Sequence, residues 1–491
     1  MQATRRSAPR SKRHSMRSAA PTCASWSTSS ALARALGWAV ISAAIAGCTA
    51  SADDVHPPRD QMFFPTGLAI SPSEHALFVA NANSDQRYDS GSIGVINIDT
   101  VEAMITDWEA RTSDYSPPTG CSIDPDHRET LVCDEAQFFD SDAGVRIGNF
   151  ASDLAVQRYS QNDKNSVRLF VPTRGDPSIA WADYIANRLT CTTTSDAFAL
   201  CDDAHRLVSL QNDPDLDGLA SEPFSVFADS ENGFAMVTHV LTGSVTLIRS
   251  QPGGQDDRVA IVDARHQQFA VNANLVSSAS SIAGRIPLND DGTPKKGDDI
   301  VYVGSTTEHR IQTYTVGMRD NAAAFLLPGN YFFLDAVGQS SGSSSTQALQ
   351  FSPGGDQLYL VNRLPPSIQI YDTSTGPTGV PRNALQGASD ICQQASKLTV
   401  LGDGDRERAY VTCFQDGQIY VIDPRGSSQV EDVISVGRGP YGVAATTGML
   451  TGGKPRLFVS NFFEDTVAVI DLADGANHNR VVLRIGKPKA Q

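Results

Sequence analysis

Short apolar runs of strand length, bounded by Gly, Asn, Asp or Pro, recur from about residue 62 to residue 488. The pattern is plainest at 440–471, where Gly442-Val443-Ala444-Ala445 begins one run, 457–461 forms a second and 466–471 a third. β-Branched and aromatic residues inside the runs, with turn formers between them, are strand and turn chemistry. The second run stacks seven times: FVAN ending at Asn81, FVPT at Thr173, MVTH at His239, YVGS at Ser305, YLVN at Asn362, YVTC at Cys413 and FVSN at Asn461. A third alternating run follows each, such as SIGVINID, SVTLIRS, SIQIYDT and QIYVIDP. Units spaced by 48 to 92 residues mostly exceed the ~40–50 of compact repeats, which predicts propeller blades carrying insertions. One blade cannot bury both of its faces alone, so neighbours stacked about an axis supply the core.

YVTCFQDGQIYVID (410–423), LFVSNFFEDTVAVID (457–471) and LFVANANSDQRYDSGSIGVINID (77–99) resemble the YVTN-type β-propeller repeat family of bacterial cell-envelope proteins. ISVGRGPYGVA (434–444) resembles that family's link from one blade's outer strand to the next blade's inner strand, and VRIGNFASDLAV (145–156) echoes it. The resemblance implies an all-β chain, a seven-bladed β-propeller with four-stranded antiparallel blades over 62–488. The blades are expected at 62–107, 147–210, 223–263, 276–337, 347–391, 392–436 and 437–488. Residues 108–144 fit no blade and read as an insertion between blades one and two. The last strand, VVLRIG (481–486), completes blade seven, so ring closure need not borrow a strand.

Residues 1–34 are basic and rich in Ser and Ala, 35–46 are apolar, and Ile45-Ala46-Gly47-Cys48 follows. A basic head, a short apolar core and small residues at the cut site make an export signal over 1–47. The apolar run is too short to span a bilayer. The I-A-G-C ending is similar to the bacterial lipobox, which implies that Cys48 is lipidated and tethers the protein to a membrane. Residues 48–61 are a polar, flexible tether. The reading is a lipid-anchored protein of the bacterial cell envelope, on its periplasmic or surface side.

Cys121, Cys133, Cys191, Cys201, Cys392 and Cys413 fall into three sequence-local couples. Six cysteines allow 15 connectivities; the sequential one is expected because each couple brackets a turn-rich segment. Disulfides require an oxidising compartment. The formal net charge is −16, and residues 1–47 carry seven of the cations and no acid, which leaves −23 on the remainder. Such an acidic chain lacks the basic stripe of a nucleic-acid binder.

Candidate chemistry is sparse. Asp213, Asp215 and Asp217, followed by Gly218, resemble the start of a calcium loop, although the twelfth position holds Phe224 where a bidentate Glu is wanted. Calcium is the one cofactor the sequence suggests. If the seven second strands align, the turns after them share one face of the disc, and they carry Arg174, His239, His309, Arg310, Arg363, Phe414 and Phe462. Cations and aromatics around one mouth suit an anionic or sugar-like ligand. G-x-S-x-G, H-E-x-x-H and phosphate-cradling Gly loops are absent. The leading function is therefore a non-catalytic binding scaffold for a protein or cell-wall component. The alternative is a lactonase-like or other hydrolytic propeller, since some propellers resembling this one open lactones with metal-bound carboxylates or a His–Arg pair.

Overall fold

In the computed structural model, residues 55–111, 116–159, 163–194, 196–208, 218–254, 257–267, 278–319, 323–334, 345–448 and 454–488 are described. Cys48, the expected export segment over 1–47 and the Asp213, Asp215 and Asp217 run lie outside them. The described chain forms seven antiparallel blades, each built from four strands in sequence order and arranged as a β-propeller. Blade seven shows the plan, with strands Pro440–Ala445, Arg456–Asn461, Thr466–Asp471 and Arg480–Ile485 from the axis outward. Each stacked sequence run is a second strand: Ala76–Asn81, Val167–Thr173, Phe234–His239, Asp299–Gly304, Gln357–Arg363, Arg408–Cys413 and Arg456–Asn461.

The core is divided among the blade interfaces. Successive side chains of a strand point to opposite faces, so each second strand feeds two interfaces. In blade one, Leu77 and Val79 pack toward blade seven, while Ala76, Phe78 and Ala80 pack toward blade two. The described apolar residues form seven such clusters, one between each pair of neighbouring blades. Hydroxyls near the axis bridge the same seams. Thr66 Oγ1 donates to the Ala151 carbonyl, Ser152 Oγ to Phe224, Ser280 Oγ to Thr346, Thr412 Oγ1 to Tyr441 and Ser460 Oγ to Thr66.

The insertion differs from its expected place. It lies inside blade one, between the third strand Gly91–Asn97 and a short outer strand, Val145–Ile147. It begins with a helix, Ile98–Glu109, that strand reading did not anticipate. Asn97 caps it by accepting from the Thr100 amide at 3.0 Å, and Ile98, Val101, Ile105 and Trp108 form its buried stripe. A hairpin follows, Cys121–Ile123 with Leu131–Cys133, and its second strand pairs in parallel with the outer strand of blade seven. Blade seven owns all four of its strands, as expected, and the hairpin then covers its open edge, where unpaired backbone would otherwise face solvent. The fully buried Arg456 of blade seven is held by Glu102 of the helix at 3.1 Å and by Asp471 at 2.9 Å.

All three cysteine couples are bonded, with Cα separations of 4.0, 4.8 and 5.8 Å for 121–133, 191–201 and 392–413. In blade two the outer edge is split: Arg188–Thr190 and Arg206–Leu207 both pair with the third strand, and Cys191–Cys201 staples the loop between them.

Blades three and four share a buried acid pair. Asp229 ends one inner strand, and Asp299 opens the neighbouring blade's second strand. Asn232 donates to Asp299 at 2.8 Å, and Asp229 accepts from the Glu231 and Asn232 amides. Burial, then the Asp229 charge beside it, pushes the Asp299 carboxyl up to about 9. A carboxyl whose folded value is raised binds a proton that the unfolded chain has released, so its contribution falls as pH climbs from 3.8 to about 9. Asp299→Asn stays neutral throughout. The melting temperature of this variant minus that of wild type should therefore grow from pH 5 to pH 9, measured by calorimetry; a pH-independent difference would refute the raised Asp299 carboxyl.

Candidate functional site at the channel mouth

The inner strands surround an axial cavity of about 190 Å3, lined by one short stretch from each blade. Thr66, Asp153, Ser225, Ser281, Gln347 and Lys397 make its wall polar. Blade seven supplies Gly442, whose position is forced: a Cβ there would meet the Thr66 carbonyl at 2.0 Å. Lys397 reaches across the axis from blade six. Its Nζ lies 2.8 Å from Asp153 of blade two and 3.3 Å from Ser225 Oγ of blade three. Burial opposes its charge, but Asp153 and Tyr441 outweigh that and hold the ammonium above its ordinary range. Asp153 also accepts from the Val226 amide. The pair cross-braces the channel and forms the floor of a cup at this end.

Around the cup stand groups that the sequence placed in the blade turns. Arg174 packs over Phe224, 5.7 Å from the ring centroid, and pairs with Glu222. Arg363 of blade five donates to the Ala395 carbonyl at 2.8 Å and to Ser396 Oγ at 2.9 Å. Both are neutral acceptors, and burial holds this guanidinium below its ordinary range. Tyr441, missed by sequence reading because it sits in a link and not in a turn after a second strand, joins the set. Burial raises its phenol, against the pull of Lys397, Arg363 and Arg174. Its ring also meets Phe414 at 6.3 Å, and Phe414 continues to Phe462 at 6.0 Å and Phe463 at 5.2 Å. The mouth thus has a cationic side and an aromatic side that meet at Tyr441.

Three expected members stand elsewhere. His239 is fully buried, and its Nε2 lies 2.8 Å from Thr246 Oγ1. The threonine hydroxyl donates onward to the Ala264 carbonyl, which leaves the ring N–H as donor. His239 occupies the stacked position of Asn81 and Asn461, and both of those donate to a third-strand hydroxyl in the same way, to Ser92 and Thr466 at 3.0 Å. The buried side chain at this position pins the turn. His309 stacks on Phe333 at 5.2 Å, and Arg310 is engaged by Glu308 and by the Tyr331 ring, so both pack on the outer strand of blade four, Ala323–Phe333.

The pinning role has a direct check. His239→Asn should keep the melting temperature within a few degrees of wild type, whereas His239→Leu, which removes the donor to the buried Thr246 oxygen, should cost about 1 kcal/mol in urea unfolding. Equal stability of the two variants would show that the pin is not what holds the residue there.

No protein-family model and no curated protein matches the chain. Among solved structures it is similar to a Pseudomonas aeruginosa periplasmic gluconolactonase, PpgL, at 14% identity and a TM-score of 0.45, covering 76% of this chain and 86% of that one. A Lactobacillus plantarum protein matches at 13% identity and a TM-score of 0.45, over 70% of this chain and 89% of that one. The Cps50 (Swd1) β-propeller domain of Myceliophteria thermophila matches at 8% identity and a TM-score of 0.48, over 84% of this chain and 98% of that one.

Proposed function

We propose that this protein is a lipid-anchored, non-catalytic binding propeller of the cell envelope that takes a small anionic ligand in the channel mouth. The observation that carries this reading is Arg363. A half-buried guanidinium whose described partners are neutral is costly, and a ligand carboxylate would supply the missing counter-charge through a two-pronged contact. Lys397, by contrast, already has Asp153 and serves as the floor. Hydrolysis by a His–Arg pair finds no support, because His239 is buried against Thr246. Three disulfides agree with an oxidising compartment, and the I-A-G-C ending at Cys48 supports the anchor.

Titration calorimetry with gluconate, against sorbitol as its uncharged open-chain counterpart, tests the ligand class. Gluconate should bind, sorbitol should not, and Arg363→Gln should weaken gluconate by about tenfold or more, the scale of one charge-assisted contact. Equal binding of the two compounds, or an Arg363→Gln variant indistinguishable from wild type, would overturn the reading. A lactone-hydrolysis assay run beside it would show turnover if the hydrolytic alternative holds.

The anchor is tested separately. Wild type should carry labelled fatty acid and sediment with membranes, and Cys48→Ala should do neither. Two or more acyl chains are needed for stable attachment, since one chain binds with only about 10⁴ M⁻¹. Unlabelled wild type would remove the anchor from the proposal.

A further inference from the structure

A second cavity, of about 470 Å3, opens at the seam of blades six and seven, outside the axial channel. Its size lies within the ~300–1,000 Å3 of small-ligand pockets. One wall is apolar: the rings of Phe414 and Phe463 sit 5.2 Å apart and inclined at 58°. Phe463 keeps 37% of its surface exposed, so its ring is open to a ligand. The hollow exists because of Gly439. Its φ is +70°, and a Cβ there would fall 2.7 Å from the Phe463 ring and 3.3 Å from Phe414. The rim is polar, formed by Gln394, Gln415, Asp416 and Arg438.

The pocket is pre-organised. Phe414 follows Cys413 directly, and its amide donates to the Gln394 carbonyl at 3.2 Å. Gln394 lies two residues after Cys392, so the 392–413 disulfide ties the aromatic wall to the amide rim. Rigid sites lose less entropy on binding.

The geometry points to a pyranose ring of a neutral glycan as the occupant. Such a ring presents C–H faces that pack on aromatic carbon and equatorial hydroxyls that both donate and accept. The two Gln amides also donate and accept, Asp416 accepts and Arg438 donates. Asp416 and Arg438, the latter already 3.5 Å from the Glu464 carboxylate, bring both signs of charge to the rim, which favours an uncharged ligand over an anion or a cation. A purely apolar occupant would offer no hydrogen bond to the rim groups it desolvates, at a cost. Its wall is the aromatic side of the mouth, but none of its lining residues takes part in the Arg363 contact, so the two readings are tested apart.

Saturation-transfer NMR and calorimetry on the purified full chain, with chitotetraose and cellotetraose as probes, test it. At least one tetrasaccharide should bind. Phe463→Ala, at an exposed position, should weaken it by about tenfold, as expected for one lost stacking partner, with an unchanged melting temperature. Gln415→Ala should weaken it too, and Arg363→Gln should leave it intact. Failure of both saccharides to bind, binding that ignores Phe463→Ala and Gln415→Ala, or Phe463-dependent binding of a blocked leucine tripeptide in their place would overturn the assignment.

Discussion

Every blade of this protein is apolar on both faces, and that is the constraint from which the rest of the structure follows. A sheet with one dry face can end in solvent; a sheet with two cannot. Phe78 faces blade two while Leu77 and Val79 beside it face blade seven, and Phe458 of blade seven closes that same seam from the other side. Truncating one such buried aromatic to alanine costs about 3–5 kcal/mol. With seven seams and no free face, the chain is stable only as a closed ring. Closure is accordingly where extra structure is concentrated: the helix and hairpin inserted in blade one lie against blade seven, and the buried Arg456 ties them together.

The seven second strands were legible because a half-exposed period gives way there to continuous apolar residues ending in a polar one. That final residue is also where sequence reading of the site failed. Asn81, His239 and Asn461 share a position, and a histidine or a cysteine there invites a chemical role that asparagine does not. All three donate to a hydroxyl of the following strand. Cys413 occupies the same place with a covalent tie to Cys392. The stack of seven already held the signal, since a position filled by Asn, Thr, His, Ser or Cys in equivalent strands serves to tie the strand end down, by hydrogen bond or by disulfide.

The insertion was harder to read for a different reason. Its helix has an apolar stripe of four residues, Ile98, Val101, Ile105 and Trp108, which runs straight on from the third strand of blade one. Strand and helix meet at Asn97, so the change of period from two to 3.6 has only one capping residue to mark it. The hairpin's partner lies some 350 residues away in blade seven and pairs in parallel, and no local pattern encodes such a contact. Arg174, Arg363, Phe414 and Phe462 were found because turns after aligned strands must share a face. Lys397, Asp153 and Tyr441 were not, because they come from inner strands and links whose convergence on the axis depends on ring geometry.

The seam between blades five and six uses charge differently at its two ends, and this is what singles out the mouth. On the opposite face Arg425 binds Asp356 at 2.8 Å through both terminal nitrogens and Glu407 at 2.8 Å through Nε, and Tyr359 donates to the same glutamate. The Arg425 hydrogen bonds hold the Asp356 carboxyl down at about 2. Charge there is consumed in joining blade five to blade six. At the mouth the same seam is joined by Arg363, whose prongs end on a backbone carbonyl and a serine hydroxyl. One seam thus carries a neutralised cation at one end and, among the described residues, an unneutralised one at the other. Since either arrangement would hold the blades together, the structural task alone does not account for leaving the positive charge uncompensated beside the open channel.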